Sequence, residues 1–339
     1  MKPVILFVDD EPNILRGLKR LLHSRRESWD MAFMEGGEAA IDWLSENHVD
    51  AIVSDMRMPR VDGADVLNYA ARNSKGSVRL VLSGEADRDL TYRTIGCSHQ
   101  FLSKPCDEVK LVRAIETPLA LTKELPAEQL AAVSAACSTP VCPTRTHAAL
   151  DAAFADADQA ALTAIVASDP GLALRALQLA NSAYFGRPAN TLSIADAIGA
   201  VGMDVFADLH HAGRLASIPT DAGADDAVAK TADLAAEASR ELAAIAMTDY
   251  NASEAEAETA YAAGLVSWVG ESLAASSHMR DERVPLSPLN AASYAACLLG
   301  LPLHICASVQ ALAKADAPTD TPLARAESLA ALLFEKAAA

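Results

Sequence analysis

The sequence lacks both a hydrophobic segment long enough to cross a membrane and a cysteine pattern typical of secreted or zinc-binding proteins. The apolar run at residues 4–8 is shorter than a signal-peptide core and leads directly into Asp9 and Asp10. No stretch approaches the roughly 18 apolar residues of a membrane span. The six cysteines have no C-x-x-C spacing, which favours isolated thiols. We therefore expect a soluble, cytoplasmic protein that does not bind membranes.

Positive charge is also scarce. The chain has 28 Lys and Arg against 45 Asp and Glu, a net charge of −17. Residues 139–339 alone carry 11 basic and 24 acidic side chains, a balance of 11 − 24 = −13. Such a surface repels a phosphate backbone, so we expect no nucleic-acid partner.

A length of 339 residues favours two domains. Residues 1–120 alternate short apolar runs with helical periodicity. We predict strands at 3–8, 29–34, 51–55, 78–83 and 99–102, and helices at 12–23, 38–46, 64–72, 87–95 and from 106 to about 116. This alternation is typical of an α/β domain with a doubly wound, five-stranded parallel sheet.

Polar side chains stand where these predicted strands end. Asp9 and Asp10 follow the first strand, Asp55 the third, Ser83 the fourth and Lys104 the fifth. The carboxyl edge of such a sheet is where ligands bind. Three carboxylates at one edge repel one another unless a cation neutralises them, and a sparse set of oxygen ligands suits Mg²⁺. The set fits phosphoryl transfer, with Asp55 as nucleophile, Lys104 paired to a phosphoryl oxygen and the Ser83 hydroxyl donating to another.

The segments Val8-Asp-Asp-Glu-Pro12, Asp55-Met-Arg-Met-Pro59 with Asp62-Gly63, Leu82-Ser-Gly84 and Lys104-Pro105 resemble the motifs of receiver domains in two-component response regulators. The resemblance covers residues 1 to about 120. It implies strand order 2-1-3-4-5, a sensor histidine kinase as phosphodonor in a phosphorelay, and a possible homodimer through the receiver.

The resemblance also implies roles for individual residues. Asp10 would bind Mg²⁺ directly, Asp9 through water, Asp55 by its carboxylate and Arg57 by its backbone carbonyl. Phe101 matches an aromatic switch that moves inward when the hydroxyl residue, Ser83 here, shifts towards the phosphoryl group.

Simpler interpretations exist for parts of this set. Asp9-Asp10 alone is compatible with a helix cap, but capping leaves Asp55, Ser83 and Lys104 unexplained. An aromatic residue at the end of an edge strand often only packs, so for Phe101 the packing and switch interpretations stay open.

After the receiver we predict a helical linker at 121–138 and an all-α domain at 139–336, since alanine dominates and no strand pattern is present. Its most distinctive stretch is residues 169–186, a helix begun by Asp169-Pro170 and ended by Gly186. The match to HDOD domains is strongest at 165–205. These domains are relatives of HD-type metal phosphohydrolases and are regarded as lacking the catalytic residues.

Ser267 and Trp268 stand where the related pattern carries His-Asp, and no His-Asp dipeptide occurs in the sequence. The histidines of this half, at 147, 210, 211, 278 and 304, are interpreted as isolated, without a carboxylate at a spacing that builds a metal site. We therefore expect no hydrolytic activity. The alternative is a phosphorylation-controlled, metal-dependent phosphohydrolase with an unorthodox site in this domain.

The expected output is protein binding. The target would be another signalling protein, including enzymes that make or degrade cyclic dinucleotides. A partner surface is conceivable around Asn181, Ser182, Tyr184 and Phe185. The same residues also fit a structural role, with Asn181 and Ser182 bonding backbone groups at a helix end while the two aromatic rings pack in the core.

Overall fold

The computed structural model describes residues 2–84, 92–182, 191–275, 287–315 and 321–334, with the side chain of Ser83 outside this set. The chain divides into two compact units, and the boundary between them lies between Ser138 and Thr139. The first unit contains all of residues 2–138 that are described, and nearly all later residues belong to the second.

The first unit is built on a parallel sheet of five strands. These are β1 (Val4–Asp9), β2 (Asp30–Glu35), β3 (Ala51–Asp55), β4 (Val78–Ser83) and β5 (Gln100–Ser103). All neighbouring pairs are parallel, and their order is β2-β1-β3-β4-β5, which confirms the predicted sheet and strand order. The central strand β3 is buried along its whole length, as expected for a sheet covered on both faces.

Helices cover the sheet. They are α1 (Pro12–Leu21), α2 (Gly37–Glu46), α3 (Gly63–Asn73), α4 (Glu108–Leu121) and α5 (Ala127–Ser138), and a short 3₁₀ turn spans His23–Arg25. Most of the helix predicted over 87–95 lies outside the described residues, and residues 92–94 are helical. The apolar residues of α3 face the sheet because they recur every three or four positions, as Val66, Leu67 and Ala70 do.

The segment after the last strand differs from the predicted helix and linker. Helix α4 continues past residue 116 to Leu121 with Pro118 inside it, although proline ordinarily ends a helix. Pro118 is buried between Ile115 and Leu121 on one face of the helix, and this burial offsets the lost hydrogen bond. The segment interpreted as a linker forms α5, which is part of the first unit.

The second unit is all-α in the residues described, apart from an isolated bridge between Val141 and Ser217. Its helices are α6 (Thr144–Ala155), α7 (Gln159–Val166), α8 (Pro170–Ala180), α9 (Ile194–Val201), α10 (Met203–His211), α11 (Ala222–Asp249), α12 (Glu254–Ser267), α13 (Val269–Ala275), α14 (Pro288–Leu298), α15 (Leu303–Lys314) and α16 (Pro322–Phe334). Every residue of α8 is buried, which makes it the central helix of this unit.

Among the described residues, no single helix has the length and apolar character needed to cross a membrane. Helices α7 and α8 meet that test only together, as a pair bent by 114°.

Gly63 fixes how closely α3 approaches the end of β3. A Cβ atom at this position would overlap the carbonyl oxygen of Asp55, and the Gly63 N–H donates to the Met56 carbonyl at 3.0 Å. The loop after Asp55 therefore needs a residue without a side chain at the first position of α3.

We predict that Gly63→Ala destabilises the first unit by about 1–3 kcal/mol, because backbone must move to admit the methyl group. Gly17→Ala is the matched control, since nothing lies within 4 Å of a Cβ there, and it should add about 0.5–1 kcal/mol. Urea unfolding of the full chain measures both. Equal effects of the two substitutions would contradict the close approach at Gly63.

Candidate functional site: an ammonium between two carboxylates

Three strand ends bring Asp9, Asp55 and Lys104 into direct contact. Lys104 Nζ lies 2.7 Å from Asp9 Oδ2 and 2.5 Å from Asp55 Oδ1. The side chains of Asp9 and Asp55 are 2% and 11% exposed, whereas that of Lys104 is 22% exposed. The sequence places these residues 46 or more positions apart, and the parallel sheet brings them to one edge because β1, β3 and β5 all end there.

Backbone groups hold the second oxygen of each carboxylate. Asp9 Oδ1 accepts from the Glu11 N–H at 2.9 Å, and Asp55 Oδ2 accepts from the Arg57 N–H at 2.9 Å. Each carboxylate therefore bonds the ammonium with one oxygen and the backbone two residues later with the other. Both are fixed in orientation without a further side chain.

The charges in this site perturb one another. Burial raises the pKa of Asp55, and nearby Asp9 adds to that effect, while the hydrogen bond from Lys104 opposes it. Burial alone would lower the pKa of Lys104, but its bonds to Asp55 and Asp9 outweigh burial, so that pKa is raised. The ammonium therefore keeps its proton, and Asp55 is held less acidic than an exposed carboxyl.

The remaining predicted residues of this edge are placed as follows. Asp10 is half-buried at the end of β1, and Phe101 is buried in β5 opposite Val81. The backbone of Ser83 ends β4, and its hydroxyl lies outside the described residues. The inward position of Phe101 is compatible with packing and with a switch.

A divalent cation is compatible with this donor set. In the described part of the chain, no three His, Cys, Asp or Glu side chains are grouped so that they could hold a metal. Mg²⁺ needs only one or two carboxylates because it keeps several waters. Asp9 and Asp55 meet that requirement, because they offer only carboxylate oxygens and already lie together around the Lys104 ammonium.

Arg93 contacts the loop that follows Asp55, and sequence reasoning missed it. Asp62 caps α3 in a capping box with Asp65, and Arg93 bonds both, at 2.5 Å to Asp62 Oδ2 and 2.9 Å to Asp65 Oδ1. The capping signal Asp62-x-x-Asp65 is visible in the sequence, but Arg93 lies 28 residues after Asp65 and has no local signal. These ion pairs tie the residue 92–94 helix to the start of α3.

Asn181 and Ser182 follow directly after the buried helix α8. Asn181 Nδ2 donates to the carbonyls of Leu177 at 2.8 Å and Thr191 at 3.0 Å, and Ser182 is buried. These bonds give Asn181 a structural role at the helix end. Tyr184 and Phe185, the other members of the suggested partner surface, lie outside the described residues.

Ser267 and Trp268 both contact the guanidinium of Arg325. The guanidinium of Arg325 lies 3.9 Å from the centre of the Trp268 ring. It also donates to the Ser267 carbonyl at 3.1 Å and to Glu271 Oε1 at 2.5 Å. Ser267 Oγ donates to the Gly264 carbonyl at 2.7 Å. A cation–π contact and an ion pair thus stabilise this part of α12 and α13.

His210 contacts a carboxylate that the sequence alone did not assign to it. His210 Nε2 lies 2.8 Å from Asp151 Oδ1, and the His147 ring lies 5.4 Å from the His210 ring. His147 and Asp151 share one face of α6 at a spacing of four, which the sequence does show. The contact with His210 depends on how α6 packs against α10, which the sequence does not show.

Asp169 begins α8 and is completely buried. Its Oδ1 accepts from the Leu172 N–H at 2.9 Å, whereas its Oδ2 is buried without a hydrogen-bond partner. Burial raises the pKa of Asp169 to about 6, although the backbone N–H groups of Leu172 and Gly171 lower it. Asp169 therefore caps the helix as predicted, but its burial disfavours the charged form of the carboxyl group.

Comparison with known proteins assigns both units. Residues 5–116 match the response regulator receiver domain, and residues 142–289 match the HDOD domain. The chain thus contains a receiver domain followed by an HDOD domain, and this combination indicates a response regulator.

The relatives named here each match about a third of the chain. Response regulator GtcR of Aneurinibacillus migulanus is 29% identical over 119 residues, covering 35% of this chain and 48% of that protein. Transcriptional regulatory protein GlrR of Escherichia coli K12 is 30% identical over 116 residues, covering 34% of this chain and 26% of that protein. This chain therefore spans less than half the length of either relative. A solved receiver domain of an HD domain-containing protein from Pseudomonas fluorescens Pf-5 is 28% identical, with a TM-score of 0.35, and covers 37% of this chain and 100% of that one.

We predict that Lys104→Met raises the pKa of Asp55 further and lowers the free energy of unfolding at pH 7 by about 2–4 kcal/mol, since two buried carboxylates lose their cation. The loss should shrink towards pH 4 as Asp55, whose pKa is raised by burial, takes up a proton. Carboxyl-carbon NMR titration and urea unfolding measure the two effects. Arg60→Met, in an exposed pair with Glu38, is the control and should change stability by about 0.5 kcal/mol or less. A Lys104 effect no larger than this would contradict the ion-pair assignment.

A second prediction concerns Asp169. Its folded-state pKa is about 6 against an ordinary value of 3.8, so the folded chain holds this proton more tightly. The resulting stabilisation is complete below pH 3.8 and is lost as the pH rises through 6. Asp169→Asn carries no such proton, so its free energy of unfolding should rise relative to wild type by about 2 kcal/mol between pH 4 and pH 7. Chemical unfolding of both proteins across this range measures the difference, and a pH-independent difference would refute it.

Proposed function

We propose that this protein is a phosphorylation-controlled binding protein of two-component signal transduction. The contact of one ammonium with two buried carboxylates at the carboxyl edge of the sheet is the observation that carries the proposal. A phosphoryl group on Asp55 would bring new negative oxygens to the place where Lys104 already supplies a positive charge.

Asp55 acts as the nucleophile. One of its carboxylate oxygens attacks the phosphorus of a phosphohistidine in a sensor histidine kinase. A P–O bond to Asp55 forms as the P–N bond breaks, and the imidazole leaves with the electron pair. The Arg57 N–H, bonded to Asp55 Oδ2, keeps the carboxylate oriented during the attack.

Lys104 stabilises the transferred group. Its ammonium contacts Asp55 Oδ1 and can pair with a phosphoryl oxygen there, while Asp9 keeps the ammonium in place. The Ser83 hydroxyl is proposed as a further donor. Mg²⁺, held by Asp9, Asp10, Asp55 and the Arg57 carbonyl, would neutralise the oxygens of acceptor and phosphoryl group.

The HDOD domain is proposed to act by binding a signalling protein, with enzymes of cyclic-dinucleotide metabolism among the targets. Support comes from Ser267 and Trp268, which engage Arg325 where a metal-binding His-Asp pair would otherwise stand. A coupling free energy of about 1–3 kcal/mol between Asp55 and the binding surface suffices to change partner affinity severalfold to a hundredfold.

Phosphorylation is tested with acetyl phosphate and Mg²⁺. Intact-mass spectrometry should show one phosphoryl group on the wild type and none on Asp55→Ala. The control Asp42→Asn removes an exposed carboxylate from α2 and should be labelled like wild type. Labelling of Asp55→Ala to the wild-type extent would overturn the assignment of the acceptor.

The output is tested by affinity capture from the host lysate. Protein loaded with Mg²⁺ and beryllofluoride, a phosphoryl mimic, is compared with Asp55→Ala. A protein retained by only one of the two supports gated binding. Identical captures that bring down no protein contradict it.

Metal analysis distinguishes the rival function. Among the described residues no three His, Cys, Asp or Glu side chains are grouped to hold a metal, and His210, which contacts Asp151 near His147, is the histidine with a carboxylate partner nearest to another histidine. A transition metal that copurifies with the chain and is lost in His210→Gln, together with hydrolysis of a cyclic dinucleotide, would replace protein binding as the proposed output.

A further inference from the structure

Helix α5 packs on the first unit as a core helix does. Its buried apolar residues Leu130, Val133 and Cys137 recur at intervals of three and four and form one stripe. Leu130 faces Gly76, where a Cβ would stand 3.9 Å from the leucine side chain. The sequence had suggested a spacer between domains, but these contacts make α5 part of the receiver unit.

A buried arginine joins α5 to the sheet. Arg79 of β4 is 1% exposed, and its guanidinium donates to Ser134 Oγ at 3.0 Å and to Ser138 Oγ at 3.1 Å. It also donates to the carbonyls of Cys97 at 2.5 Å and Ser77 at 3.3 Å. The two serines stand four positions apart on α5, so both hydroxyls face the same guanidinium.

His99 extends this contact to the start of β5. Its Nδ1 accepts from the Arg79 backbone N–H at 3.0 Å, and its backbone N–H donates to the Arg79 carbonyl at 2.7 Å. Its Nε2 lies 3.2 Å from Ser134 Oγ. One cluster of polar atoms thus holds β4, the residue before β5 and α5 together.

Burial makes this cluster difficult to open. A guanidinium without contact to water depends on protein acceptors, and α5 supplies two of those seen here. If α5 left the sheet, these two bonds would be lost at once, together with the apolar contacts of the stripe. The helix should therefore follow any displacement of β4.

Strand β4 also reaches the proposed phosphorylation site. Arg79 pairs with Ile52 in the sheet, while Leu82 of the same strand pairs with Asp55, and Ser83 ends the strand. Ser83 stands four positions after Arg79, a span of about 13 Å in a strand. The strand therefore connects the carboxyl edge, where Asp55 lies, to the helix that ends at the boundary of the second unit.

We propose that Arg79 is a positioning residue that couples β4 to helix α5, so that phosphorylation of Asp55 displaces α5 and, through Ser138, the first residues of the second unit. This inference rests on the proposed function for its input at Asp55. The docking of α5 through Arg79 does not depend on that input.

Hydrogen exchange of the full chain, followed by mass spectrometry, tests the docking. In the unloaded protein, Arg79→Met should accelerate exchange of α5 by about tenfold or more and leave α1 unchanged, since buried bonds to a charged group are lost. The control Arg72→Met removes an exposed arginine of α3 and should leave α5 unchanged. Unaltered protection of α5 in Arg79→Met would overturn the inference.

A second variant guards against a folding defect. Ser134→Ala with Ser138→Ala keeps the arginine and removes only the two hydroxyls, and it should also accelerate exchange of α5. If Arg79→Met does not fold, this double variant decides the question, and unchanged α5 exchange in it refutes the coupling.

The coupling itself is measured with Mg²⁺ and beryllofluoride. Loading should change exchange in α5 and residues 139–143 of the wild type, and this difference should vanish in the double variant while acetyl phosphate still labels Asp55. Exchange is sampled at times short enough that α5 of the double variant is not yet fully exchanged, so that a difference between loaded and unloaded states remains measurable there. If Asp55 is not labelled in the wild type, the proposed function fails and the docking result stands. If labelling is normal and the loaded difference survives in the double variant, the further inference fails.

Discussion

The ammonium of Lys104, placed between the carboxylates of Asp9 and Asp55, is the interaction on which the receiver site depends. Two buried carboxylates at one sheet edge repel each other, and the ammonium between them offsets that repulsion. The arrangement requires β1, β3 and β5 to end at the same level, which the registers of β1 with β3, of β3 with β4 and of β4 with β5 provide. The strand register therefore brings the two carboxylates and the ammonium together.

In the second unit, polar side chains bond the backbone groups at the ends of the central helix. Its central helix α8 is buried on all sides, so the polar groups at its ends must be satisfied within the protein. Asp169 begins the helix and Asn181 ends it, each by bonding backbone groups. Near α12 and α13, the buried Arg325 stacks on the Trp268 ring and forms an ion pair with Glu271. Hydrogen bonds and ion pairs thus hold helix ends in place in the described part of this unit.

The hydrophobic pattern of the sequence predicts the sheet and the residues at its carboxyl edge, because it shows where each strand ends, whereas the strand order followed only from the resemblance to receiver domains. It does not predict Arg93 beside Asp62 or Asp151 beside His210, because those contacts depend on how separate helices pack. The prediction of a linker at residues 121–138 differed from the structure for another reason. Pro126, together with Pro118 just before the segment, and the many alanines favour a helical linker, whereas the stripe of Leu130, Val133 and Cys137 can be recognised as a packing face only when its partner surface is known.

The packing of α5 changes what counts as a complete receiver. A fragment ended at residue 120, where the resemblance to receiver domains stops, would leave the guanidinium of Arg79 without its two serine partners and expose the surface that Leu130 and Val133 cover. Such a fragment would carry the phosphorylation residues yet have an incomplete core. The smallest unit that keeps its own buried charge satisfied ends at Ser138, after a segment that sequence boundaries alone would discard.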